Sequence, residues 1–285
     1  MLPKPLHEFL IAQFGVFETQ SVSGGCINNA VKISCQHSDY FLKYNKEDLF
    51  PGMFEAEAHA LRLLATTKTV NVPEVVKNGN VDNVSYLLLQ FIEAGASSVN
   101  SMRQLGRQLA AMHKNSAALY GLEYNNYIGS LQQCNKQSNS WADFLVEQRL
   151  NPLLQKALAA GLLNTSDARS FELLFSKMND LFPREKPALL HGDLWSGNYL
   201  IEKGGKPYLI DPAVYYGNRE MDIAMSLLFG GFSTTFYDGY EEVYPLQNGW
   251  KQRINLCNLY PLLVDVNLFG RSYIGQLRSC LNAYL

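Results

Sequence analysis

Two regimes of hydrophobic patterning divide the chain. Up to about residue 92, short β-branched and aromatic runs at Phe17–Val22, Ala30–Cys35 and Tyr40–Tyr44 predict strands. The turns Ser23-Gly24-Gly25 and His37-Ser38-Asp39 separate them. Phe54–Ala65 carries Ala58, Leu61, Leu64 and Ala65 at helical spacing and predicts a helix that ends before Val72-Pro73. The unbroken apolar run Val84–Phe91 predicts a buried strand. The small residues Ala94–Ser98 mark a hinge, and beyond it the pattern turns helical. Ser101 with Gln104 predicts a capping box that opens a helix with Met102, Leu105, Leu109 and Met112 on one face. Trp141–Ala159, Asp167–Leu181, Met221–Phe229 and Ile274–Leu285 predict further helices, with Pro152 at a kink or boundary of the first. The only strand signals in this half are Tyr199–Glu202 and Pro207–Ile210, which flank Gly204-Gly205 as a hairpin. The expected architecture is α+β and two-lobed. A small N-terminal β-sheet lobe with one main helix covers residues 1–92, and a larger, mostly helical C-terminal lobe covers 93–285.

Composition narrows the class. At 285 residues, 47% of them apolar, the chain can bury a full core. A formal charge of −2 supplies no basic excess for a nucleic-acid partner. No apolar run reaches membrane-spanning length, and Leu259–Phe269 is interrupted by Asp265 and Asn267, so no membrane span is expected. The start, Met1-Leu2-Pro3-Lys4-Pro5, lacks the build of a signal peptide. The five cysteines are odd in number and form no CxxC pair, which argues against a zinc site or disulfide framework and for a reducing cytoplasm.

The candidate chemistry centres on His191-Gly192-Asp193-Leu194-Trp195-Ser196-Gly197-Asn198 and on Asp211, which follows a short strand. Asp193 is placed to accept the proton of an attacking hydroxyl, while Asn198 and Asp211 offer oxygens to Mg²⁺ held against nucleotide phosphates. His-Gly-Asp and Asp211-Pro212 are each common turn sequences, and Gly197-Asn198 also suits a turn. It is their order, with a lysine strand upstream, that points to phosphoryl transfer. His191 is expected to brace the loop. Asp222 at a helix start is expected to satisfy backbone N–H groups, including those of the His191 loop. Lys43 lies among apolar residues of a strand and can reach phosphates when paired with a helix glutamate. Glu57 is the chosen partner because Ala60 and Leu61 follow it on the packed face, with Glu55 as the alternative. Gly24, Gly25, Cys26 and Asn28 belong to a strand-joining loop whose N–H groups suit phosphates. Cys26 there is either an oxidation-sensitive thiol able to link subunits or a small buried one. Trp195 either packs beneath its loop or offers an aromatic face to a sugar-like acceptor.

These residues resemble the fructosamine kinase (ketosamine-3-kinase) family of aminoglycoside phosphotransferase-like kinases. The resemblance rests on the His191–Asn198 loop with its Trp195-Ser196 pair and on Ser23–Asn28, Met53–Glu57, Leu105–His113, Asn125–Gly129 and Ile210–Asp222. It implies a bilobal protein-kinase-like fold and ATP- and Mg²⁺-dependent phosphorylation of the 3-hydroxyl of ketosamines, free or on glycated proteins, in a deglycation repair role. It further implies Asp193 as base, Asn198 and Asp211 as metal ligands, Lys43 with Glu57 as the phosphate-positioning pair, and Gln90, Phe91 and Ile92 as the adenine hinge. Two other readings stand beside it. One is a kinase of the same fold acting on another small alcohol or amino sugar, the other a non-catalytic nucleotide-binding scaffold. Protein kinase activity is not expected, since Asp211-Pro212 replaces Asp-Phe-Gly.

Overall fold

The apolar run that begins at Val84 becomes the strand on which the N-terminal lobe is organised. The computed structural model describes residues 2–22, 28–36 and 38–285. Helix α1 (Lys4–Phe14) leads into β1 (Glu18–Ser21), β2 (Asn29–Ser34) and β3 (Asp39–Lys46), then α2 (Met53–Thr66), β4 (Val75–Val81) and β5 (Val84–Gln90). The strands form one antiparallel sheet in the order β1-β2-β3-β5-β4. Successive strand residues point to opposite faces, and here both faces are covered. Tyr86 and Leu88 join Leu42 and Tyr44 against Leu6 and Leu10 of α1, whereas Leu87 and Leu89 pack on Phe54, Ala58 and Leu61 of α2. The same alternation sends Lys43, between Leu42 and Tyr44, to the α2 face.

Neither α1 nor β4 is anticipated by the sequence reading. Leu6, Phe9, Leu10 and Phe14 of α1 do stand at helical spacing and pack on the sheet. Val75–Val81 includes Asn78, Gly79 and Asn80, which read as a loop until β5 supplies partners.

The second lobe continues with α3 (Val99–His113), β6 (Asn126–Ile128), β7 (Leu131–Gln133), α4 (Trp141–Phe144), α5 (Asn151–Ala159) and α6 (Thr165–Leu181). Four short strands follow: β8 (Ala188–Leu190), β9 (Tyr199–Ile201), β10 (Pro207–Leu209) and β11 (Tyr215–Gly217). Helices α7 (Glu220–Ser226), α8 (Thr234–Val243), α9 (Trp250–Phe269) and α10 (Ile274–Asn282) complete it. No helix among the described residues is long and apolar enough to cross a membrane.

Several expectations need correction. The capping box of α3 is Ser98 with Ser101, not Ser101 with Gln104. Ser98 N–H donates to Ser101 Oγ at 2.8 Å and Ser98 Oγ accepts from Ser101 N–H at 3.1 Å, so the helix starts one turn earlier. The expected helix Trp141–Ala159 is interrupted by a π-helical stretch, Leu145–Leu150. Pro152 then falls in the first turn of α5, where its missing N–H breaks no helical bond. The wider turn carries Arg149 into the core, where its guanidinium lies 4.6 Å and 4.2 Å from the ring centroids of Phe144 and Tyr215. Met221–Phe229 ends as a helix at Ser226, and Phe229 adopts φ 55°. Strand pairs β6–β7 and β8–β11 join the expected β9–β10 hairpin, each only three residues long and too short to show alternation. Helices α8 and α9 were also not anticipated.

Helices α3 and α8 cross at small residues. A Cβ on Gly106 would run into the backbone carbonyl of Phe236, and one on Gly239 into that of Arg103. Gly106→Ala is therefore expected to cost about 2 kcal/mol or more, since backbone rather than a flexible side chain must give way. A lower urea midpoint at unchanged m-value is the measurement that checks it.

Candidate active site

The ladder between β8 and β11 positions the loop that carries Asp193. Tyr215 pairs with Leu190, and just beyond this pair Ala213 N–H donates to His191 O at 2.9 Å. Gly192 has φ 83°, and a Cβ on it would strike the Ala213 carbonyl, so only glycine fits where the two loops touch. At the far end of the loop, Ile210 N–H donates to Asn198 O at 3.0 Å, which ties the loop to the β9–β10 hairpin.

Asp222 of α7 supports the loop from below. Its carboxylate accepts the N–H of His191 at 2.7 Å and of Gly192 at 2.9 Å, and faces Nε2 of buried His113 at 3.1 Å. Burial opposes the charge on Asp222, but His113 and the loop amides outweigh it and hold the carboxyl below its ordinary range. His113 Nδ1 lies 2.8 Å from the Tyr240 hydroxyl, which fixes the imidazole from α8. His191 turns inward. Asp193 N–H donates to its Nδ1 at 3.3 Å, which leaves the Nε2 proton for Ile210 O at 2.9 Å. Burial lowers its pKa, so it remains neutral and structural.

The sequence candidates then converge. Asn198 Nδ2 donates to the backbone O and to Oδ2 of Asp193, each at 2.8 Å. This orientation leaves Asn198 Oδ1 free to act as a ligand. Burial pushes the Asp193 carboxyl up to about 7, the Asn198 hydrogen bond opposes the shift, and the charges of Asp211, Asp265 and Asp222 add to it. Across the cleft, Lys43 Nζ lies 2.7 Å from Glu57 Oε1 and 2.8 Å from Asp211 Oδ1. Burial opposes the ammonium, but the two carboxylates outweigh it and hold Lys43 firmly protonated. Glu57, one face round the helix from exposed Glu55, is the glutamate that meets it. Asp211 has φ 54°, a left-handed conformation that Asp tolerates better than most residues, and its side chain is 39% exposed.

The remaining candidates lie around this centre. Asn28 Oδ1 accepts from Asn45 Nδ2 at 2.8 Å at the base of the β2 loop. Gly24, Gly25 and Cys26 lie outside the described residues. Trp195 packs its ring on Gly197 of its own loop and is 40% exposed. Gln90 ends β5 opposite Tyr40, Phe91 lies under the Lys32 ammonium, and Ile92 is buried. The next residues join the lobes, with Gly95 N–H donating to Ile201 O at 2.7 Å and Lys203 N–H to Glu93 O at 2.9 Å.

Some supporting residues escaped the sequence reading. Asn71 accepts Leu209 N–H through its backbone O and donates through Nδ2 to Pro207 O, both at 2.9 Å, and so clamps the segment between α2 and β4 to β10. Asn126 Nδ2 donates to Val214 O at 2.8 Å and Gln133 Nε2 to Ala213 O at 3.1 Å, bracing the segment after Asp211. These are long-range contacts with no local pattern to announce them.

Comparison with known proteins agrees with this geometry. The fructosamine kinase family model matches residues 3–285. The chain is 41% identical to a probable ketoamine kinase of Synechocystis sp., over 95% of this chain and 92% of that protein. It is 37% identical to the chloroplastic protein-ribulosamine 3-kinase of Arabidopsis thaliana, over 100% of this chain and 89% of that protein. A Haemophilus somnus crystal structure named for fructosamine-3-kinase superposes with TM-score 0.88 at 32% identity, covering 99% of this chain and 97% of that one. An aminoglycoside phosphotransferase, 16% identical with TM-score 0.67 over 99% of both chains, shares the fold. A related structure of that phosphotransferase holds AMP-PNP and hygromycin B. With the family matched along nearly its whole length and the kinase-like fold in place, this chain belongs to the fructosamine kinase family of phosphotransferases.

Proposed function

We propose that this protein transfers the γ-phosphoryl group of ATP to the 3-hydroxyl of ketosamines, the ribulosamine or fructosamine adducts of amines and proteins, as a deglycation repair step. The observation that carries this reading is the contact of Lys43 with Asp211 at 2.8 Å, 168 positions apart in sequence, beside an Asn198 already bonded to Asp193. On this reading residues 1–92 bind nucleotide, and residues 93–285 carry the catalytic loop and acceptor site. We assign its location to the cytoplasm, a reducing compartment that suits an odd set of cysteines with no CxxC pair.

Each residue has a physical task. Asp193 orients the acceptor hydroxyl and takes its proton as oxygen bonds to the γ-phosphorus and the β–γ bridging bond breaks, releasing ADP. Lys43, steadied by Glu57, neutralises charge on the nucleotide phosphates. The backbone of Gln90–Ile92 faces adenine, and the exposed side of Trp195 faces the sugar. The donors left open suit Mg²⁺: Asn198 Oδ1 is a neutral oxygen, and half-exposed Asp211 retains an oxygen not engaged by Lys43. Bound Mg²⁺ would supply charge neutralisation on the transferring phosphates. The product places a phosphate, a good leaving group, next to the ketone of the sugar, which opens its decomposition and release of the free amine.

The test is ATP consumption across a panel of synthetic ribulosamines, erythrulosamines and fructosamines, with choline, an aminoglycoside and homoserine as controls. Ketosamine-dependent ADP release is the expected result. Turnover of a control with none of the ketosamines would replace this reading with a kinase for another small alcohol.

A further inference from the structure

A chain of buried polar side chains stands behind the Asp193 loop, and counting donors fixes the direction of each bond in it. Asp222 of α7, His113 of α3, Tyr240 of α8 and Arg219, which precedes α7, are all buried. Arg219 has five N–H donors and no acceptor. Its Nε donates to Glu185 Oε2 at 3.1 Å, Nη2 to Glu185 Oε1 and Pro245 O, each at 2.8 Å, and Nη1 to Tyr244 O at 2.7 Å. The remaining N–H, on Nη1, is directed at the Tyr240 oxygen, 3.4 Å away.

Tyr240 must place its own proton elsewhere. Among the described residues its oxygen meets only Arg219 Nη1 and His113 Nδ1, and Arg219 can only donate. A buried hydroxyl without an acceptor is costly, so the proton goes to His113 Nδ1 at 2.8 Å. Burial pushes the Tyr240 pKa up and outweighs Arg219, so the hydroxyl keeps that proton. With Nδ1 accepting, the imidazole carries its hydrogen on Nε2, which donates to Asp222 Oδ2 at 3.1 Å. The same oxygen accepts the N–H of His191 at 2.7 Å, two residues before Asp193.

We propose that Tyr240 is a positioning residue for phosphoryl transfer: by donating to His113 Nδ1 it aims the imidazole Nε2–H at Asp222, and so sets the carboxylate that holds the His191 and Gly192 amides. This rests on the reading of Asp193 as the base. The torsion of an imidazole about its Cβ–Cγ bond is broad and nearly two-fold, so Asp222 alone does not define the ring plane. A partner on each nitrogen does. The close crossing of α3 and α8 at Gly106 and Gly239 brings Tyr240, the residue after Gly239, up to α3. Helix α8 therefore acts on the loop through two successive hydrogen bonds as well as through apolar packing.

Tyr240→Phe is the informative change, because it keeps the ring in the core and removes only the hydroxyl. Its kcat is expected to fall about tenfold with the KM for ATP nearly unchanged, since a small displacement of the base costs turnover while Lys43, Glu57 and Asp211 keep their contacts. The acceptor is whichever member of the panel above wild type turns over, so failure of the ketosamine reading and failure of this assignment are separate results. A role in packing alone would give a loss that persists whatever stands at 113. In a His113→Phe background, where the ring neither accepts from Tyr240 nor donates to Asp222, Tyr240→Phe is expected to cost less than about twofold more. Nitrogen NMR reads the bond direction without turnover: wild-type His113 should show an unprotonated Nδ1 and a protonated Nε2, and the Nδ1 signal should move in Tyr240→Phe. Undiminished kcat in Tyr240→Phe, the same fold loss in both backgrounds, or a proton on wild-type Nδ1 would each overturn the assignment. If His113→Phe does not fold, the kcat of Tyr240→Phe and the spectrum decide it.

Discussion

Asp193→Asn is expected to lower kcat by about a thousandfold, within the range for removing a positioned general base. Nucleotide affinity should be nearly unchanged, because Lys43, Glu57 and Asp211 form their contacts without Asp193. Asparagine also keeps an oxygen for Asn198 Nδ2, so the loss reports on proton acceptance more than on collapse of the loop. The wild-type pH profile supplies a second reading. Burial raises the Asp193 carboxyl to about 7, and only the ionised form accepts a proton. Acceptor kcat/KM should therefore rise through an acid limb centred near 7 and flatten above it, and Asp193→Asn should abolish that limb. Near wild-type turnover in the variant would remove Asp193 from the role of base.

Asp222→Ala is expected to be the most damaging substitution for stability. The change leaves the N–H groups of His191 and Gly192 buried without an acceptor and His113 Nε2 without its partner. Removing one member of such a buried set costs about 3–5 kcal/mol. In a chain of this size that corresponds to a fall in Tm on the order of 10 °C. Activity should fall with it, since the same two amides orient the residues before Asp193. The pH dependence has a definite sign. The folded-state pKa of Asp222 lies below its unfolded value, so its contribution is present above the unfolded pKa, about 4, and is lost as pH falls toward the folded pKa. The stability gap between wild type and Asp222→Ala should narrow in acid. Urea unfolding at neutral and acid pH measures it, and a gap that stays constant would mean that the charge of Asp222 contributes nothing.

Much of this was legible in one chain because the signals are local. Loop residues such as Asp193 and Asn198 lie close in sequence, and their order with Asp211 and the Lys43 strand suggests phosphoryl transfer. The period-two alternation of β3 and β5 dictates that Lys43 shares a face with Leu87, and the helical period of α2 carries Glu57 to that face. The β9–β10 hairpin follows from Gly204-Gly205 between apolar runs. The role of Asp222 followed from its place at a helix start, although its reach to His113 did not.

What remained unread is in one case a choice between neighbouring caps and otherwise depends on partners far away in sequence. Ser98 competes with Ser101 as a helix cap, and the choice turned on whether Val99 and Asn100 could be helical. Three-residue strands have no period to detect, and β4 is held by its pairing with β5 rather than by its own composition. Arg149 reads as a surface charge on a helix. Its burial is made tolerable by hydrogen bonds that the guanidinium donates to Cys134 O at 2.5 Å and Asn135 Oδ1 at 2.6 Å, and by the rings of Phe144 and Tyr215.

The sequence by itself determined the inventory of this protein: its two structural regimes, the residue types able to perform phosphoryl transfer, and the family to which they belong. The tertiary structure alone decided which carboxylates have counter-charges and which do not. Lys43 meets both Glu57 and Asp211, Asp222 meets His113 and the His191 loop, and Asp265 Oδ2 has no hydrogen-bond partner among the described residues. The physical reason is that charge energetics are set by distance and desolvation in three dimensions, and neither quantity is written in the order of residues along a chain.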